Sequence, residues 1–86
     1  MKYEGLSPGQ RRVLSAICEM IRTRGIPPTL RELMALLGIG STNGVSDHLL
    51  GLVRKGYITR EASTARGIVL TGKGRDFAQQ SLEEVR

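Results

Sequence analysis

Glycines and capping pairs divide the first part of the chain into short helical segments. Ser7 with Gln10, and Thr29 with Glu32, each have the spacing of a capping box, in which two side chains satisfy free backbone N–H groups where a helix starts. Gly25 can end the first helix, because glycine readily adopts the left-handed conformation of a helix C-terminus. The pattern therefore predicts one helix between Ser7 and Gly25 and a second that begins after Thr29.

A tight turn separates the second helix from a third. Gly38-Ile39-Gly40 interrupts the helical pattern, and Ser41 or Thr42 can cap a third helix that we expect to run to about Lys55, before Gly56. Two short helices joined by a few residues that include glycine have the outline of a helix-turn-helix. Because many helical hairpins share this outline, the spacing alone does not decide the function.

Apolar residues recur at helical spacing in all three segments, as they do on the buried face of a helix. The predicted core positions of the three helices are Val13, Leu14, Ile17, Met20 and Ile21; Leu30, Leu33, Met34 and Leu37; and Val45, Leu49, Leu52 and Val53.

After Gly56 the period changes to two, which indicates a β-hairpin with strands at 57–60 and 68–70 around a polar turn at 61–67. Thr71 can cap a short terminal helix with a loose apolar stripe of Phe77, Ala78, Leu82 and Val85. We therefore predict an α+β winged helix-turn-helix: a three-helix bundle, a wing of two strands or of three if a short strand forms near residues 26–28, and a C-terminal helix. We assign residues 1–73 to the winged domain and 74–86 to a helix that can serve as a dimer contact.

The charge of the chain favours an anionic partner. The net charge is +5, and the excess of bases lies in residues 1–73; the alternative is an ordinary solvated surface. The chain has no Trp, two Tyr and one Phe, too few rings for a base-stacking platform on single strands.

His48 and Cys18 are each the only residue of their type and fit packing roles, so we expect no metal, cofactor or catalytic centre. With no long apolar run, we also expect no membrane association and a cytoplasmic location.

The outward face of the third helix carries short polar side chains that suit base edges in the major groove of double-stranded DNA. These are Asn43, Ser46 and Asp47, with Leu50 able to pack on a thymine methyl group, and Arg54 further along. The alternatives are a plain solvent face, or Leu50 folded over the wing. Helix starts and basic residues of the wing can bind phosphates; the expected set is Thr29, Arg31, Arg54, Lys55, Arg60, Arg66 and Lys73.

Three segments resemble the N-terminal DNA-binding domain of LexA-type repressors. They are Gly25-Ile26-Pro27-Pro28-Thr29-Leu30-Arg31-Glu32-Leu33, the stretch from His48 to Ile58, and Ala65-Arg66-Gly67-Ile68. The resemblance implies a repressor of the DNA-damage (SOS) response that binds an operator and reads bases with Ser41, Asn43, Gly44, Ser46 and Asp47. Thr42 stands where the family often has proline, and Ser46-Asp47 where it often has two acids, which leaves the operator sequence open.

Repressors of this type continue into a self-cleaving peptidase domain that also dimerises them, and this chain stops at Arg86. We therefore expect no autoproteolysis from these residues. Leu70-Thr71-Gly72-Lys73-Gly74-Arg75 resembles the start of the helix that follows the wing in MarR-like regulators, which commonly forms a dimer contact. The alternative function is a protein-interaction module that docks on a partner repressor or polymerase without reading DNA.

Overall fold

The computed structural model describes residues 5–61 and 63–85, with side-chain surroundings described as far as residue 80. In chain order the elements are α1 (Pro8–Arg24), α2 (Leu30–Leu37), α3 (Thr42–Arg54), β1 (Ile58–Arg60), β2 (Ile68–Leu70) and α4 (Gly72–Val85). The predicted α+β winged helix-turn-helix architecture is confirmed. No helix in the described part of the chain is both long and apolar enough to cross a membrane.

Both predicted capping boxes form. The Ser7 hydroxyl accepts a hydrogen bond from the Gln10 N–H at 3.1 Å, and Gln10 Oε1 accepts one from the Ser7 N–H at 3.1 Å. The second box has the same pattern, with 3.1 Å from the Glu32 N–H to Thr29 Oγ1 and 2.8 Å from the Thr29 N–H to Glu32 Oε1. Gly25, with φ of 75°, ends α1 in the left-handed conformation.

The start of α3 differs from the other two helix starts. Ser41 is the N-cap residue, but its side chain makes no capping hydrogen bond. The expected hydroxyl cap is therefore absent, and the exposed Ser41 side chain lies at the beginning of the third helix.

The wing is a two-stranded antiparallel hairpin. Ile58 pairs with Leu70, Thr59 with Val69, and Arg60 with Ile68. The third strand considered near residues 26–28 is not formed in the described part of the chain, because Pro27 and Pro28 have no N–H group to donate to a ladder.

One aliphatic core joins all the elements. Its members are Leu6, Val13, Leu14, Ile17, Leu33, Val45, Leu49, Leu52, Tyr57, Ile58, Ile68 and Phe77. Val53, predicted to belong to it, is 36% exposed, because it lies at the edge of the stripe that faces α1 and α2. Phe77 packs edge-on against Tyr57 with ring centroids 6.4 Å apart, so α4 is part of this core. Leu82 and Val85 of the predicted stripe lie outside the described side chains.

Candidate nucleic-acid interface

The third helix turns its polar residues away from the core. Val45, Leu49 and Leu52 have no exposed surface, and residues on the opposite side of the helix follow from the 100° step between neighbours. Asn43 and Asp47 are exposed, and Ser46 is half-buried at the edge of this face. Asn43, Ser46, Asp47 and Leu50 form the face of α3 that is predicted to read bases, the reading face, and Arg54 lies at its C-terminal end.

Leu50 is the apolar member of the reading face. It is 48% exposed, so about half of the side-chain surface is not covered by the wing or by any other described part of the fold. Burying an aliphatic side chain contributes on the order of 1.5–3 kcal/mol, and in the free protein this contribution is only partly realised. An apolar group in the middle of a polar helical face is therefore available to a partner surface.

Gly44 lies against the turn between α2 and α3. A Cβ atom at this position would stand 3.3 Å from Cγ2 of Ile39, which is tighter than ordinary van der Waals contact. The resemblance assigned Gly44 to the base-reading set. With no side chain to offer and one side against Ile39, this residue lets the start of α3 pack closely on the turn.

Three arginines of the predicted phosphate set are available to a ligand. Arg31 in the first turn of α2, Arg54 at the end of α3 and Arg60 in β1 are all exposed. None of them makes an ion pair or side-chain hydrogen bond with another described residue. Arg31 also stands where a positive charge is unfavourable to the helix dipole, which a bound phosphate would offset.

Other members of that set already have partners within the protein. Lys55 donates to Gln10 Oε1 at 2.6 Å and to the Gly5 carbonyl. Lys73 donates to the Lys55 carbonyl at 3.0 Å and lies 4.5 Å from the centre of the Tyr57 ring. The Thr29 hydroxyl is engaged in its capping box. The sequence alone does not distinguish Lys55 and Lys73 from lysines without partners, because their contacts are with residues distant in the sequence.

Arg66 has the most extensive partners of the set. Its Nη1 lies 2.7 Å from Glu32 Oε1 and its Nη2 3.1 Å from Glu32 Oε2, and Nη1 also donates to the Pro27 carbonyl at 2.8 Å. The hydrogen bonds from Arg66, and then the one from the Thr29 N–H, lower the pKa of Glu32 to about 2. Arg24 Nη1 approaches Glu32 Oε2 at 3.8 Å. Glu32 is thus the acidic centre of a basic cluster.

The remaining titratable residues singled out in the sequence have packing roles. Cys18 is half-buried, and that burial raises the pKa of its thiol to about 11. The His48 ring packs on Gly9, where a Cβ atom would meet Cε1 at 2.3 Å. The described residues contain no group of three or more His, Cys, Asp or Glu side chains that could hold a metal ion.

The helical bundle, the tight turn, the outward polar helix and the hairpin after it define the winged helix-turn-helix class of DNA-binding domains. The sequence model of the family described as "LexA DNA binding domain" matches residues 3–67. The chain belongs to the LexA DNA-binding domain family.

Curated relatives agree with this assignment. The chain is 53% identical over 68 residues to LexA repressor 1 of Geobacter sulfurreducens, covering 79% of this chain and 34% of that protein. It is 54% identical over 65 residues to the LexA repressor of Sorangium cellulosum, covering 76% of this chain and 28% of that protein. The chain thus spans about a third of the length of these relatives (34% and 28%).

Solved structures share the fold. A transcriptional regulator from Thermotoga maritima matches 95% of this chain and 61% of its own length, with a TM-score of 0.65 and 27% identity. A hypothetical protein matches 93% of this chain and 25% of its own length, with a TM-score of 0.78 and 23% identity. The latter likeness concerns the fold alone.

Proposed function

We propose that this domain binds double-stranded DNA sequence-specifically as the operator-binding part of a LexA-type transcriptional repressor. Its reading face would enter the major groove, and the wing would lie on the adjacent backbone or minor groove. The observation that carries the proposal is the exposure of Asn43, Asp47 and Leu50 on the side of α3 opposite the buried Val45, Leu49 and Leu52. A helix oriented in this way presents short polar groups where base edges are read.

Roles within the site follow from exposure and chemistry. Asn43 near the start of α3 would pair with adenine, and Asp47 would accept from the cytosine amino group. Ser41, Ser46 and Leu50 would complete the base contacts. Arg31, Arg54 and Arg60 would contact phosphates, which supply affinity but little sequence information.

The whole protein would act as a homodimer on a palindromic operator. A single domain of this size buries little surface on DNA. A two-fold symmetric dimer can place one domain on each half-site of a palindromic operator. Regulation of a DNA-damage response and a cytoplasmic location at the nucleoid belong to this proposal. The alternative, an interaction module that never reads DNA, is not favoured, because the family is defined by DNA binding.

Selection of bound sequences from a random duplex pool tests the proposal. We expect one enriched motif whose affinity falls steeply with salt concentration. A palindrome with half-sites about one helical turn apart would support the dimer. A pool that remains random after selection, with weak salt-independent binding, would refute sequence-specific recognition.

A further inference from the structure

Arg66 ties the loop of the wing to the start of α2. The residue lies in the segment between β1 and β2, 34 residues from Glu32 in sequence, and its guanidinium holds both carboxylate oxygens at 2.7 and 3.1 Å. The same group donates to the Pro27 carbonyl just ahead of α2. A planar fork that meets a carboxylate through two parallel hydrogen bonds fixes direction as well as distance.

Glu32 is itself held in place. Its Oε1 accepts the Thr29 N–H at 2.8 Å in the capping box of α2, so the carboxylate cannot follow Arg66 if the loop moves. The Glu32 side chain is 29% exposed and that of Arg66 40%. Ion pairs this exposed add little to the free energy of unfolding. The structural effect of the contact is therefore on the position of the wing rather than on overall stability.

The wing has few other contacts that could fix its loop. Each strand has three residues, and among the hairpin residues that the structure describes only Ile58 and Ile68 are buried. The loop is closed by a hydrogen bond of 2.9 Å from the Glu61 N–H to the Gly67 carbonyl. Ile58 and Ile68 anchor the strands in the core, and the contact from Arg66 to Glu32 adds a fixed point for the loop between the strands.

Two arginines that make no ion pair with another described residue lie beside the two ends of this contact. Arg31 precedes Glu32 in the first turn of α2. Arg60 pairs across the hairpin with Ile68, which follows Arg66 by two residues. The Glu32–Arg66 pair therefore fixes the spacing between two cations that are predicted to contact phosphates. The phosphates of a duplex are regularly spaced. Two cations whose spacing is already fixed lose less conformational entropy when they bind those phosphates.

We propose that Arg66 is a positioning residue for DNA binding, which acts through Glu32 to hold the wing at a set distance from α2 and does not itself contact phosphate. The inference rests on the proposed function, because it presumes that α2 and the wing meet the same duplex. It assigns Arg66 a different role from that of Arg60, although both are exposed arginines of the wing.

The test compares variants at both ends of the pair. Operator affinity of Arg66→Ala, Arg66→Lys, Glu32→Gln and the Glu32→Gln/Arg66→Ala double variant is measured by fluorescence anisotropy over a range of salt concentrations. Glu32→Gln keeps a side-chain oxygen for the Thr29 cap and increases the net positive charge. Glu19→Gln and Arg22→Ala, which break the exposed Glu19–Arg22 pair of α1, are the matched controls.

We expect each single variant at the pair to raise Kd by about tenfold, which is about 1.4 kcal/mol, with no further loss in the double variant. The salt slope should stay at the wild-type value, and lysine at position 66 should not restore affinity, because it lacks the fork. The controls should bind like the wild type. Hydrogen exchange of the Glu61 amide should speed up in Glu32→Gln while amides of α1 stay unchanged, a readout that also serves if Arg66→Ala does not fold.

The inference is overturned if Arg66→Ala reduces the salt slope by about 0.9, the value for one phosphate contact, while Glu32→Gln binds as well as or better than the wild type. Unchanged exchange at Glu61 in Glu32→Gln would also overturn it. Wild-type protein that shows no salt-dependent binding to any selected duplex would refute the proposed function itself, so the two failures are distinguishable.

Discussion

Gly74 of α4 lies directly against the carbonyl oxygen of Tyr57, which a Cβ atom at position 74 would approach to 2.2 Å. Around this contact, the Tyr57 carbonyl accepts a hydrogen bond from the Thr71 N–H at 3.1 Å, and the Thr71 hydroxyl, 3.0 Å from the same carbonyl, donates to the Gly56 carbonyl at 2.6 Å. The Thr71 hydroxyl in turn accepts from the Gly74 N–H at 3.2 Å. The first turn of α4 is therefore packed against the backbone that leads from α3 into the wing.

Replacing Gly74 with alanine should lower the free energy of unfolding by about 1–3 kcal/mol, the usual cost of overpacking. The nearest neighbour is backbone rather than a flexible side chain, so α4 or β1 would have to shift. Gly72→Ala is the matched control, because a Cβ there meets nothing within 4 Å. Urea unfolding of both variants checks the prediction, and equal stability would mean that α4 does not seat against Tyr57.

Leu49 and Leu50 are neighbours in α3 with opposite environments. Leu49→Ala should cost about 2–5 kcal/mol of stability, because it opens a cavity in a fully buried site. Leu50→Ala should leave stability nearly unchanged but weaken binding to duplexes that carry thymine at one operator position. Urea unfolding and operator titrations with uracil in place of thymine separate the two effects. Equal losses of stability would place Leu50 inside the fold.

Arg54 and Arg60 should each account for part of the salt dependence of DNA binding. A glutamine at either position should reduce the slope of log K against log salt concentration by about 0.9, with a similar loss on specific and random duplexes. Arg22→Gln removes the same charge from α1 and should leave the slope unchanged. A slope that does not respond to either change would assign the phosphate contacts to other residues.

The Glu32–Arg66 pair should make stability depend weakly on pH in the acid range, because an ion pair this exposed adds only a small amount to the free energy of unfolding. The pKa of Glu32 is lowered to about 2 from the usual 4.5, so the folded protein favours the carboxylate. The stabilisation is fully present above pH 4.5 and is lost as the pH falls from there through about 2. Urea midpoints of the wild type and Glu32→Gln should differ slightly at neutral pH and converge towards pH 2. A difference that persists unchanged at pH 2 would assign it to another cause.

Local sequence signals predicted the helices and their starts. Ser7 with Gln10 and Thr29 with Glu32 interact within one turn, so their spacing alone determined the capping boxes. The orientation of α3 followed from the period of its apolar residues. The hairpin followed from the change of period after Gly56.

The remaining features depend on contacts between distant segments. Nothing in the spacing of Glu32 and Arg66 indicates that the wing loop lies over the start of α2. The spacing of Lys55 and Gln10 likewise gives no sign of their hydrogen bond. The apolar stripe of α4 was predicted to be loose, because the ring that Phe77 packs against, Tyr57, precedes the hairpin in the sequence. Charge and periodicity describe a residue's own segment, whereas these roles depend on which segment packs against it.

The most direct test of the account is the specificity ratio, the affinity for the selected operator divided by that for random duplex, in Asn43→Ala and Arg54→Gln. If the reading face meets base edges, Asn43→Ala should lower the ratio roughly five- to 150-fold, equivalent to about 1–3 kcal/mol, while Arg54→Gln weakens both affinities alike and leaves the ratio intact. An unchanged ratio in Asn43→Ala, with both affinities reduced equally, would contradict base recognition by this face of α3.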